Sequence, residues 1–347
     1  MASKKNFYIT TTLPYVNAAP HIGFAFEIVT ADIVARYQRL TGSEVFFTTG
    51  TDEHGQKVYQ KAVENGQTPQ EYVDSMVGVF KNVKQDFNIS YTHFVRTTDE
   101  YHIKAAQYFW KLCADAGDIY KKNYKIKYCA GCELEKADSE LTDGRCSLHP
   151  NLKPEEREEE NYFFKWSKYE KPLLELYEKK PEFVIPSSRL GEITAFVKNG
   201  LRDFSISRVK GKMPWGIPVP GDESQVMYVW FDALVNYIST LGWPDDQETF
   251  NNFWPGMQIA GKDNLRQQSA MWQAMLMSAG LLPSMQILIH GFVTSEGQKM
   301  SKTVGNVVDP VEIVKKYGID PVRYYLLREI PSDEDGDFSY KKLEDRY

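Results

Sequence analysis

The residues best suited to chemistry in this chain are basic groups near its two ends. His21 and Gly23 lie in a turn rich in small residues, and Lys299 and Lys302 lie three apart in a glycine-flanked stretch. A histidine at a helix start can help to bind an anion, because free backbone N–H groups and the helix dipole favour negative charge there. Lysines bind phosphate groups as point charges. These residues therefore indicate a nucleotide site, and the alternatives are a structural histidine and a solvated surface turn.

A second group of side chains has the spacing of metal ligands. Two short pairs, Cys129-x-x-Cys132 and Cys146-x-x-His149, are separated by thirteen residues. Four thiolate and imidazole ligands suit tetrahedral zinc and leave no open position for catalysis. We therefore predict one structural zinc that stabilises a knuckle too small to have its own core. The remaining cysteine, Cys113, lies in a helical run and is expected to be a buried thiol.

The elements that position these groups alternate strand, turn and helix. Residues 6–12 form a β-branched and aromatic run typical of a buried strand, and apolar residues recur at helical spacing after His21. Residues 45–49 repeat the pattern and lead to Asp52. In an open parallel sheet, ligands bind beyond the carboxyl ends of strands where the strand order reverses, so His21 and Asp52 should face one crevice. Asp52 then either binds a substrate ammonium group or caps the next helix.

The alternation stops near residue 117 and resumes near residue 225. This pattern predicts an α/β fold in which a doubly wound, Rossmann-like parallel sheet is interrupted by an insertion. Further buried strands are expected at 226–231, 257–260 and 286–290. The expected ranges are 1–116 and 225–305 for the split sheet domain, 117–224 for the insertion with the zinc knuckle, and 306–347 for a final segment.

Composition restricts the class of protein only broadly. The chain has 347 residues, of which 42% are hydrophobic and 25% charged, and its formal net charge is −6. These values are ordinary for a soluble globular enzyme and indicate no global attraction to nucleic acid. Residues 121–127 are the candidate local contact for RNA or a solvated strand edge, and residues 154–160 are expected to form a solvated acidic turn. Because no signal peptide or membrane-spanning run is found, we expect a cytoplasmic protein with no membrane or DNA partner.

The two basic motifs read HIGF at residues 21–24 and KMSKT at residues 299–303. They resemble the HIGH and KMSKS signatures of class I aminoacyl-tRNA synthetases. Over nearly the whole chain the sequence is most similar to the methionyl-tRNA synthetases of the bacterial type. This resemblance implies a HUP-type Rossmann-like fold, and ATP with Mg²⁺, L-methionine and tRNA(Met) as partners. It also implies that 1–116 and 225–305 form the catalytic domain, 117–224 the connective insertion, and 306–347 the start of a stem-contact segment. The implied reaction forms methionyl adenylate and transfers methionine to tRNA.

The resemblance also implies a function for individual residues. The implied catalytic residues are His21, Lys299 and Lys302. The implied ATP-binding residues are His21, Gly23, Glu27, Gly261, Asp263, Val293 and Lys302. The implied methionine-binding residues are Leu13, Tyr15, Asp52, Trp230, Ala233, Leu234, Tyr237, Asn264, Gln268 and Trp272. For the aromatic residues among these, core packing is the alternative, and several must do both.

Two features of the chain depart from the family pattern. Phe24 stands where HIGH has its second histidine, so the phosphate site loses one donor. The chain also stops at Tyr347, where the family continues into an anticodon-binding domain, so we expect a catalytic fragment or a protein that selects tRNA by other means. Two alternative functions stay open: a non-catalytic tRNA-binding paralogue, and a class I synthetase or nucleotidyltransferase for another substrate.

A third departure lies in the expected methionine pocket. Asn264 and Gln268 stand where the family usually has an aliphatic residue and a histidine. Their spacing predicts that both lie on one face of a helix, with Trp272 four residues farther on. Buried amides without partners are costly, so these two should pair with each other, with water, or with the hydroxyl of Tyr15 or Tyr237.

Overall fold

The chain alternates strands and helices before and after a middle section of antiparallel sheets. A computed structural model describes residues 5–131, 134–136, 141–146, 149–298, 300 and 308–346. The strands are β1 (Asn6–Thr11), β2 (Glu44–Thr51), β3 (His93–Arg96), β4 (Ile119–Cys129), β5 (Leu134–Glu135), β6 (Leu141–Thr142), β7 (Arg145–Cys146), β8 (Glu155–Phe164), β9 (Val184–Ile185), β10 (Phe204–Ser205), β11 (Ser207–Val209), β12 (Pro218–Val219), β13 (Asp222–Met227), β14 (Met257–Gly261), β15 (Gln286–His290), β16 (Val293–Ser295) and β17 (Gly336–Phe338). The helices are α1 (Ile22–Leu40), α2 (Gln56–Glu64), α3 (Pro69–Asp86), α4 (Glu100–Asp115), α5 (Glu170–Lys179), α6 (Ser187–Lys198), α7 (Val229–Asp232), α8 (Asn236–Ser239), α9 (Gln247–Phe253), α10 (Trp272–Ser278), α11 (Pro310–Tyr317), α12 (Ile319–Glu329) and α13 (Tyr340–Arg346). Within the described part of the chain, no helix has the length and apolar character needed to cross a membrane.

Six of the strands form one parallel sheet in the order β3-β2-β1-β14-β15-β9. β1 and β2 are almost completely buried and rich in β-branched and aromatic residues, as expected for strands covered on both faces. The chain order reverses between β1 and β14, which is where an open α/β sheet places its ligand cleft. The predicted fold class, an α/β protein with a Rossmann-like parallel sheet, is confirmed.

The two faces of this sheet contribute to separate hydrophobic cores. Phe7 and Ile9 of β1 pack with α1, α11 and α12, whereas Tyr8 between them packs with α4 and α10. This division follows from the strand geometry, in which successive side chains point to opposite faces. Cys113 of α4 is completely buried in the second core, as expected. The sheet is therefore fixed from both sides, and its carboxyl edge is a rigid base for loops.

Among the described residues, the middle section contains three antiparallel sheets, in the orders β10-β8-β4-β5, β11-β13-β12 and β6-β7. The ladder between β4 and β8 sets Lys125 opposite Glu158 and Lys127 opposite Glu156. Cross-strand pairs of opposite charge stabilise such a ladder. The expectation that residues 154–160 form a solvated turn is therefore wrong, because residues 155–160 belong to β8 and pair with a lysine-rich strand.

Two further details of this section differ from the sequence prediction. The strand expected at 226–231 ends at Met227, belongs to the antiparallel sheet, and is followed by the helical turn Val229–Asp232. A short apolar run does not distinguish a strand from a buried helix by its periodicity. In addition, β9 comes from inside the range 117–224 and pairs with β15 at an edge of the parallel sheet.

Candidate active site

The loops after β1 and β2 lie side by side, next to the point between β1 and β14 where the sheet reverses its order. Tyr15 forms an isolated parallel bridge with Asp52. The Asp52 amide donates to the Pro14 carbonyl at 3.0 Å, and the Val16 amide donates to the Asp52 carbonyl at 3.3 Å. These bonds extend the strand ladder beyond both strands. The segment that carries Leu13 and Tyr15 is thus held against the segment that carries Asp52.

His21 is the N-cap residue of α1. Its Nδ1 accepts a hydrogen bond from the Gly23 amide at 3.1 Å, and a Cβ at position 23 would approach the His21 ring to 3.0 Å. With Nδ1 accepting, a neutral ring has its proton on Nε2, which is available to donate to a ligand. Partial desolvation lowers the pKa of His21, although the carboxylates of Glu27 and Asp263 act in the opposite direction. His21 therefore caps α1 and is still exposed at the cleft.

Farther along α1, Glu27 forms a buried pair with His290 at the end of β15. Glu27 Oε2 lies 3.0 Å from His290 Nε2, and Oε1 accepts from the amide and hydroxyl of Thr12 at 2.7 and 2.6 Å. His290 Nδ1 donates to the Gly291 carbonyl at 2.7 Å. Burial alone would lower the pKa of His290, but the hydrogen bond to Glu27 and its charge raise it above the usual value. Sequence reasoning missed His290, whose position at a strand end was the available signal.

The remaining residues assigned to ATP follow β14 and β15. Gly261 ends β14, and a Cβ there would lie 2.7 Å from Asp263 Oδ1, so glycine leaves room for that carboxylate. Asp263 is close enough to act on the pKa of both His21 and His290. Val293 begins β16 and is buried. The ends of β14 and β15 thus lie near the start of α1.

The segment after α12 fixes the loop that follows β15. β17 pairs in parallel with β16, and Asp335 accepts hydrogen bonds from the Phe292 amide at 2.9 Å and from Lys262 Nζ at 2.7 Å. A Cβ at Gly291 would meet the Glu334 carbonyl oxygen at 2.0 Å, so this close approach requires glycine. The strand leading toward residues 299–303 is therefore anchored. The predicted catalytic residues Lys299 and Lys302 lie outside the described residues.

Residues 229–239 form a helical wall in which a 3₁₀ turn joins α7 to α8. Tyr237 and the completely buried Trp272 pack together with ring centroids 5.9 Å apart, and Trp272 also packs on Phe109 at 5.4 Å. The Tyr8 hydroxyl donates to the Tyr237 carbonyl at 2.9 Å, which ties this wall to β1. Tyr237 and Trp272 therefore pack in the hydrophobic core, which was the alternative given for the aromatic residues. The predicted methionine-binding residues on this wall are Trp230, Ala233, Leu234 and Tyr237.

Gln268 makes one of the hydrogen bonds that the sequence predicted for it. Its Nε2 donates to the Tyr237 hydroxyl oxygen at 2.6 Å, while its buried Oε1 has no hydrogen-bond partner among the described residues. Because the hydroxyl oxygen accepts from Gln268, the hydroxyl hydrogen is available to another acceptor. Burial raises the pKa of Tyr237, so the hydroxyl keeps this hydrogen at neutral pH.

The helix that carries Gln268 is not a regular α-helix, contrary to expectation. Lys262–Asn264 form a 3₁₀ turn and Gln267–Met271 form a π-helical turn before α10 begins at Trp272. Asn264 is half-buried, whereas Gln268 and Trp272 are buried. A helical face worked out from α-helical spacing does not apply across such changes of hydrogen-bond pattern. π-helical turns often occur at functional sites.

The structure also shows the surroundings of two further residues of the sequence analysis, Asp52 and Phe24. Asp52 is buried, and the helix after it is capped by Gly55, so the capping alternative for Asp52 is wrong. Phe24, which replaces the second histidine of the motif, is half-buried and packs edge to face on Phe80 with centroids 5.9 Å apart. Phe24 therefore contributes to hydrophobic packing between α1 and α3.

Three of the four predicted metal ligands lie together. The ligand atoms of Cys129, Cys146 and His149 are all within 4.8 Å of one another, and the two sulfurs lie 3.8 and 3.9 Å from His149 Nδ1. Ligands held at 2.0–2.3 Å in a tetrahedron are separated by about 3.6 Å, so this group can hold a metal ion. A Cβ at Gly131 would lie 2.4 Å from the His149 ring, which makes glycine necessary there. Cys132 lies outside the described residues.

The sheet with its cleft at the reversal point, and the paired basic motifs, are features of a class of nucleotide-using ligases. A sequence model of the family described as tRNA synthetases class I (M) matches residues 7–151 and 130–347. These two matches cover nearly the whole described chain. The chain therefore belongs to the class I tRNA synthetases, in the methionine family of that class.

Individual relatives agree with this assignment. The methionine–tRNA ligases of Thermosynechococcus vestitus and Brucella melitensis are 47% and 45% identical, over 96% and 99% of this chain. The alignments span 64% and 67% of those proteins, respectively. Methionyl-tRNA synthetase of Mycobacterium tuberculosis in complex with methionyl-adenylate matches with a TM-score of 0.94 and 41% identity, covering 99% of this chain and 68% of that chain. The free state of the same enzyme matches with a TM-score of 0.84 at 37% identity.

Proposed function

We propose that the chain activates L-methionine with ATP. In this reaction a methionine carboxylate oxygen forms a bond to the α-phosphorus, the bond between the α- and β-phosphates breaks, and pyrophosphate leaves. The methionyl group then passes from the adenylate to the terminal ribose of tRNA(Met). One observation supports this most directly: Glu27, assigned to ATP, accepts from the Thr12 amide at 2.7 Å, next to Leu13, and the same loop forms the Tyr15–Asp52 bridge. The two groups of assigned residues are therefore adjacent, as joined substrates require.

The nucleotide side supplies groups that position ATP and stabilise charge. His21 is proposed to donate from Nε2 to the α-phosphate region, next to the amides that begin α1. Asp263 is proposed to hold the ribose, and Val293 the adenine. Glu27 is proposed to contribute through its bonds to His290 and Thr12, which fix α1 to the ends of β1 and β15. The chemistry needs alignment of two anions more than covalent participation by the protein.

The methionine side supplies a carboxylate for the amine and an apolar lining for the side chain. Asp52 is proposed to bind the substrate ammonium group, since it is buried and does not cap a helix. The Tyr237 hydroxyl is proposed to donate to the thioether sulfur, a weak acceptor, while Gln268 bonds to the hydroxyl oxygen. A mostly aromatic lining suits a long, polarizable side chain. The other proposed lining residues are Leu13, Tyr15, Trp230, Ala233, Leu234, Asn264 and Trp272.

Two kinds of cation complete the proposal. Lys299 and Lys302 are proposed to neutralise the leaving pyrophosphate, and Mg²⁺ would arrive with the ATP phosphates and balance their charge. The metal in the knuckle is proposed to be zinc, held by Cys129, Cys146 and His149 with Cys132 as the fourth ligand. Two or three thiolates with an imidazole are a donor set that zinc prefers. Its contribution would be to hold the knuckle together.

Methionine-dependent exchange of pyrophosphate into ATP tests the proposed activity. The unaltered chain should catalyse exchange with methionine faster than with norleucine, leucine or glutamine. Asp52→Asn, which removes the charge but keeps the shape, should raise the methionine KM strongly. A non-catalytic tRNA-binding paralogue would show no exchange with any amino acid. A synthetase for another substrate would prefer a different amino acid, and either result would contradict the proposal.

Metal analysis tests the knuckle separately. Protein purified without added zinc should contain about one equivalent, as a four-ligand site retains its metal. Simultaneous replacement of Cys146 and His149 by alanine should abolish the bound metal. Replacement of Cys113, a residue of α4 that is buried in the hydrophobic core, should leave the metal content unchanged. Full metal retention in the double variant would show that the metal is bound elsewhere.

A further inference from the structure

A second buried carboxylate–imidazole pair lies beside the residues assigned to methionine. His54 Nδ1 is 3.2 Å from Asp232 Oδ2, and the two side chains are 5% and 0% exposed. The His54 ring also packs on Trp215 with centroids 5.4 Å apart, and Trp215 Nε1 donates to the Glu53 carbonyl at 2.6 Å. None of these residues is among those assigned to either substrate, so the proposed chemistry does not use the pair.

The two members of the pair come from two different walls of the cleft. His54 follows Asp52 by two residues, in the segment that extends β2. Asp232 ends α7, between Trp230 and Ala233. The pair therefore joins the backbone segment that carries the proposed ammonium ligand to the segment that carries the proposed side-chain lining. A change of its geometry would move one wall relative to the other.

The charge of Asp232 depends on His54. Among the described residues, neither Asp232 oxygen has a well-aligned hydrogen bond, and His54 is the titratable group that acts on its pKa. His102 of α4 lies near His54 and the Asp232 backbone. Burial lowers the pKa of His102 to about 3, so this ring stays neutral, and its Nδ1 lies 2.9 Å from the Ser239 hydroxyl. A buried carboxylate without an opposite charge is costly. His54 is therefore the group positioned to balance Asp232.

The acidic residue next to His54 in the chain is paired with an arginine. Glu53, adjacent to His54, accepts from Arg96 Nε at 2.8 Å, and Arg96 also contacts Asp74 at 2.6 Å. Asp52 is the carboxylate of this segment that is proposed to bind the substrate ammonium group. The His54–Asp232 pair links the segment that carries Asp52 to α7.

We propose that the His54–Asp232 pair is a positioning device that sets the distance between Asp52 and the helical wall at 229–239, and so determines methionine affinity. The inference rests on the proposed methionine activation. It concerns binding of one substrate, because His21 and Glu27 on the nucleotide side are held by different bonds. A displacement of about 1 Å in a binding group can cost up to about a hundredfold in rate.

Three variants test this, measured by pyrophosphate exchange with the full chain. Asp232→Asn and His54→Gln should each raise the methionine KM by about tenfold or more, with the ATP KM changed by less than about twofold. The double variant should be no worse than the worse single variant, because each single change already breaks the pair. Asp118→Asn is the matched control: Asp118 is also buried and ion-paired, with Lys168 at 2.7 Å, and its other partners, Tyr169 and Ser278, are not among the assigned residues. It should lower stability and leave both KM values unchanged.

The pH profile supplies a readout that a purely structural contribution would not change. Burial raises the pKa of Asp232, although His54 opposes this, so its carboxylate takes up a proton at a higher pH than an ordinary aspartate. The methionine KM of the unaltered chain should therefore rise as pH falls through that range. Asp232→Asn should lack this rise, while the contribution of Asp52 is the same in both proteins.

The outcomes separate this inference from the proposed function. No exchange or methionine binding by the unaltered chain would overturn both. Normal exchange with unchanged methionine KM in the variants, additive effects in the double variant, or an equal rise in Asp118→Asn would overturn the positioning proposal alone. Where thermal denaturation shows that Asp232→Asn is unfolded, His54→Gln, which keeps the carboxylate, decides the question by the same KM comparison.

Discussion

Two buried carboxylate–imidazole pairs lie at the cleft, one among the residues assigned to ATP and one beside those assigned to methionine. In the first, Glu27 and His290 are 3.0 Å apart, and Thr12 and Gly291 bond to their remaining atoms. In the second, His54 and Asp232 are 3.2 Å apart, and neither Asp232 oxygen has a well-aligned bond within the described part of the chain. The two pairs have the same chemistry but differ in how completely their polar atoms are bonded.

This difference indicates different mechanical properties on the two sides of the cleft. A buried network in which every polar atom is hydrogen-bonded is rigid. A buried polar atom without a hydrogen bond raises the free energy of the folded state, and a water molecule or a small rearrangement can lower it again. We therefore expect the nucleotide side to be preformed and the methionine side to adjust when substrate binds. The following predictions test that contrast, in order of decreasing expected effect.

Removal of the Glu27 carboxylate should have the largest effect on stability. Glu27→Ala leaves His290 and both Thr12 donors without their partner, and breaking a buried pair in this way costs about 3–5 kcal/mol. Urea unfolding measures the free energy. Glu64→Ala, which removes an exposed carboxylate of α2, is the control and should change stability by less than about 0.5 kcal/mol. A loss below 1 kcal/mol in Glu27→Ala would remove the basis for calling the nucleotide side rigid.

Lys302 should act mainly in the transition state. Lys302→Ala should slow exchange by about one to three orders of magnitude, because charge develops on the leaving pyrophosphate, while methionine binding hardly changes. Lys341→Ala removes an exposed lysine of α13 and should have no such effect. An unchanged exchange rate in Lys302→Ala would exclude the KMSKT segment from the reaction.

The Glu27–His290 pair should also make the free energy of unfolding depend on pH. The pKa of His290 is raised in the folded protein, so the pair contributes fully below the unfolded histidine value of about 6.5, and this contribution is lost as pH rises through the folded value. Glu27→Gln should flatten that part of the profile and destabilise by about 1–3 kcal/mol. Urea midpoints measured between pH 6 and pH 9 provide the comparison. A profile of the same slope in both proteins would show that His290 does not titrate with folding.

The smallest expected effect is on substrate discrimination. Gln268→Leu removes the hydrogen bond to the Tyr237 hydroxyl oxygen. The hydroxyl hydrogen is then no longer oriented by that bond toward the proposed thioether position. The preference for methionine over norleucine in kcat/KM should fall by about two- to tenfold, the range of one hydrogen bond of about 0.5–1.5 kcal/mol. In a Tyr237→Phe background the same change should have no effect on the preference. A fall of equal size there would assign discrimination to shape alone.

The sequence predicted the parts of the fold that depend on local patterns. The strands expected at 6–12, 45–49, 257–260 and 286–290 are present, because buried parallel strands are short apolar runs ended by polar or glycine-rich turns. Three of the four predicted metal ligands lie together, and they could be selected from the sequence because their spacing is local. The convergence of the loops after β1 and β2 followed from the geometry of parallel sheets.

The parts that could not be predicted depend on partners far away in the chain. His290 meets Glu27 across 263 residues, and single-sequence patterns do not report such a contact. The π-helical turn at Gln267–Met271 is a change of hydrogen-bond register inside a helical run, which the composition of that run does not reveal. The acidic run in β8 was assigned to a turn because its stabilising partner, the lysine-rich β4, is a separate segment.

That ladder of lysines and glutamates has a consequence for how the molecule reaches its fold. Lys121 of β4 contacts both Glu160 and Asp222, so the two strands attract each other before any tight packing exists. A strand of either kind repels a copy of itself, which disfavours exchange of strands between two nascent chains. A slip by one residue would also turn the lysines to the opposite face from their partners. The charge pattern thus favours pairing of β4 with β8 over pairing of either strand with a copy of itself.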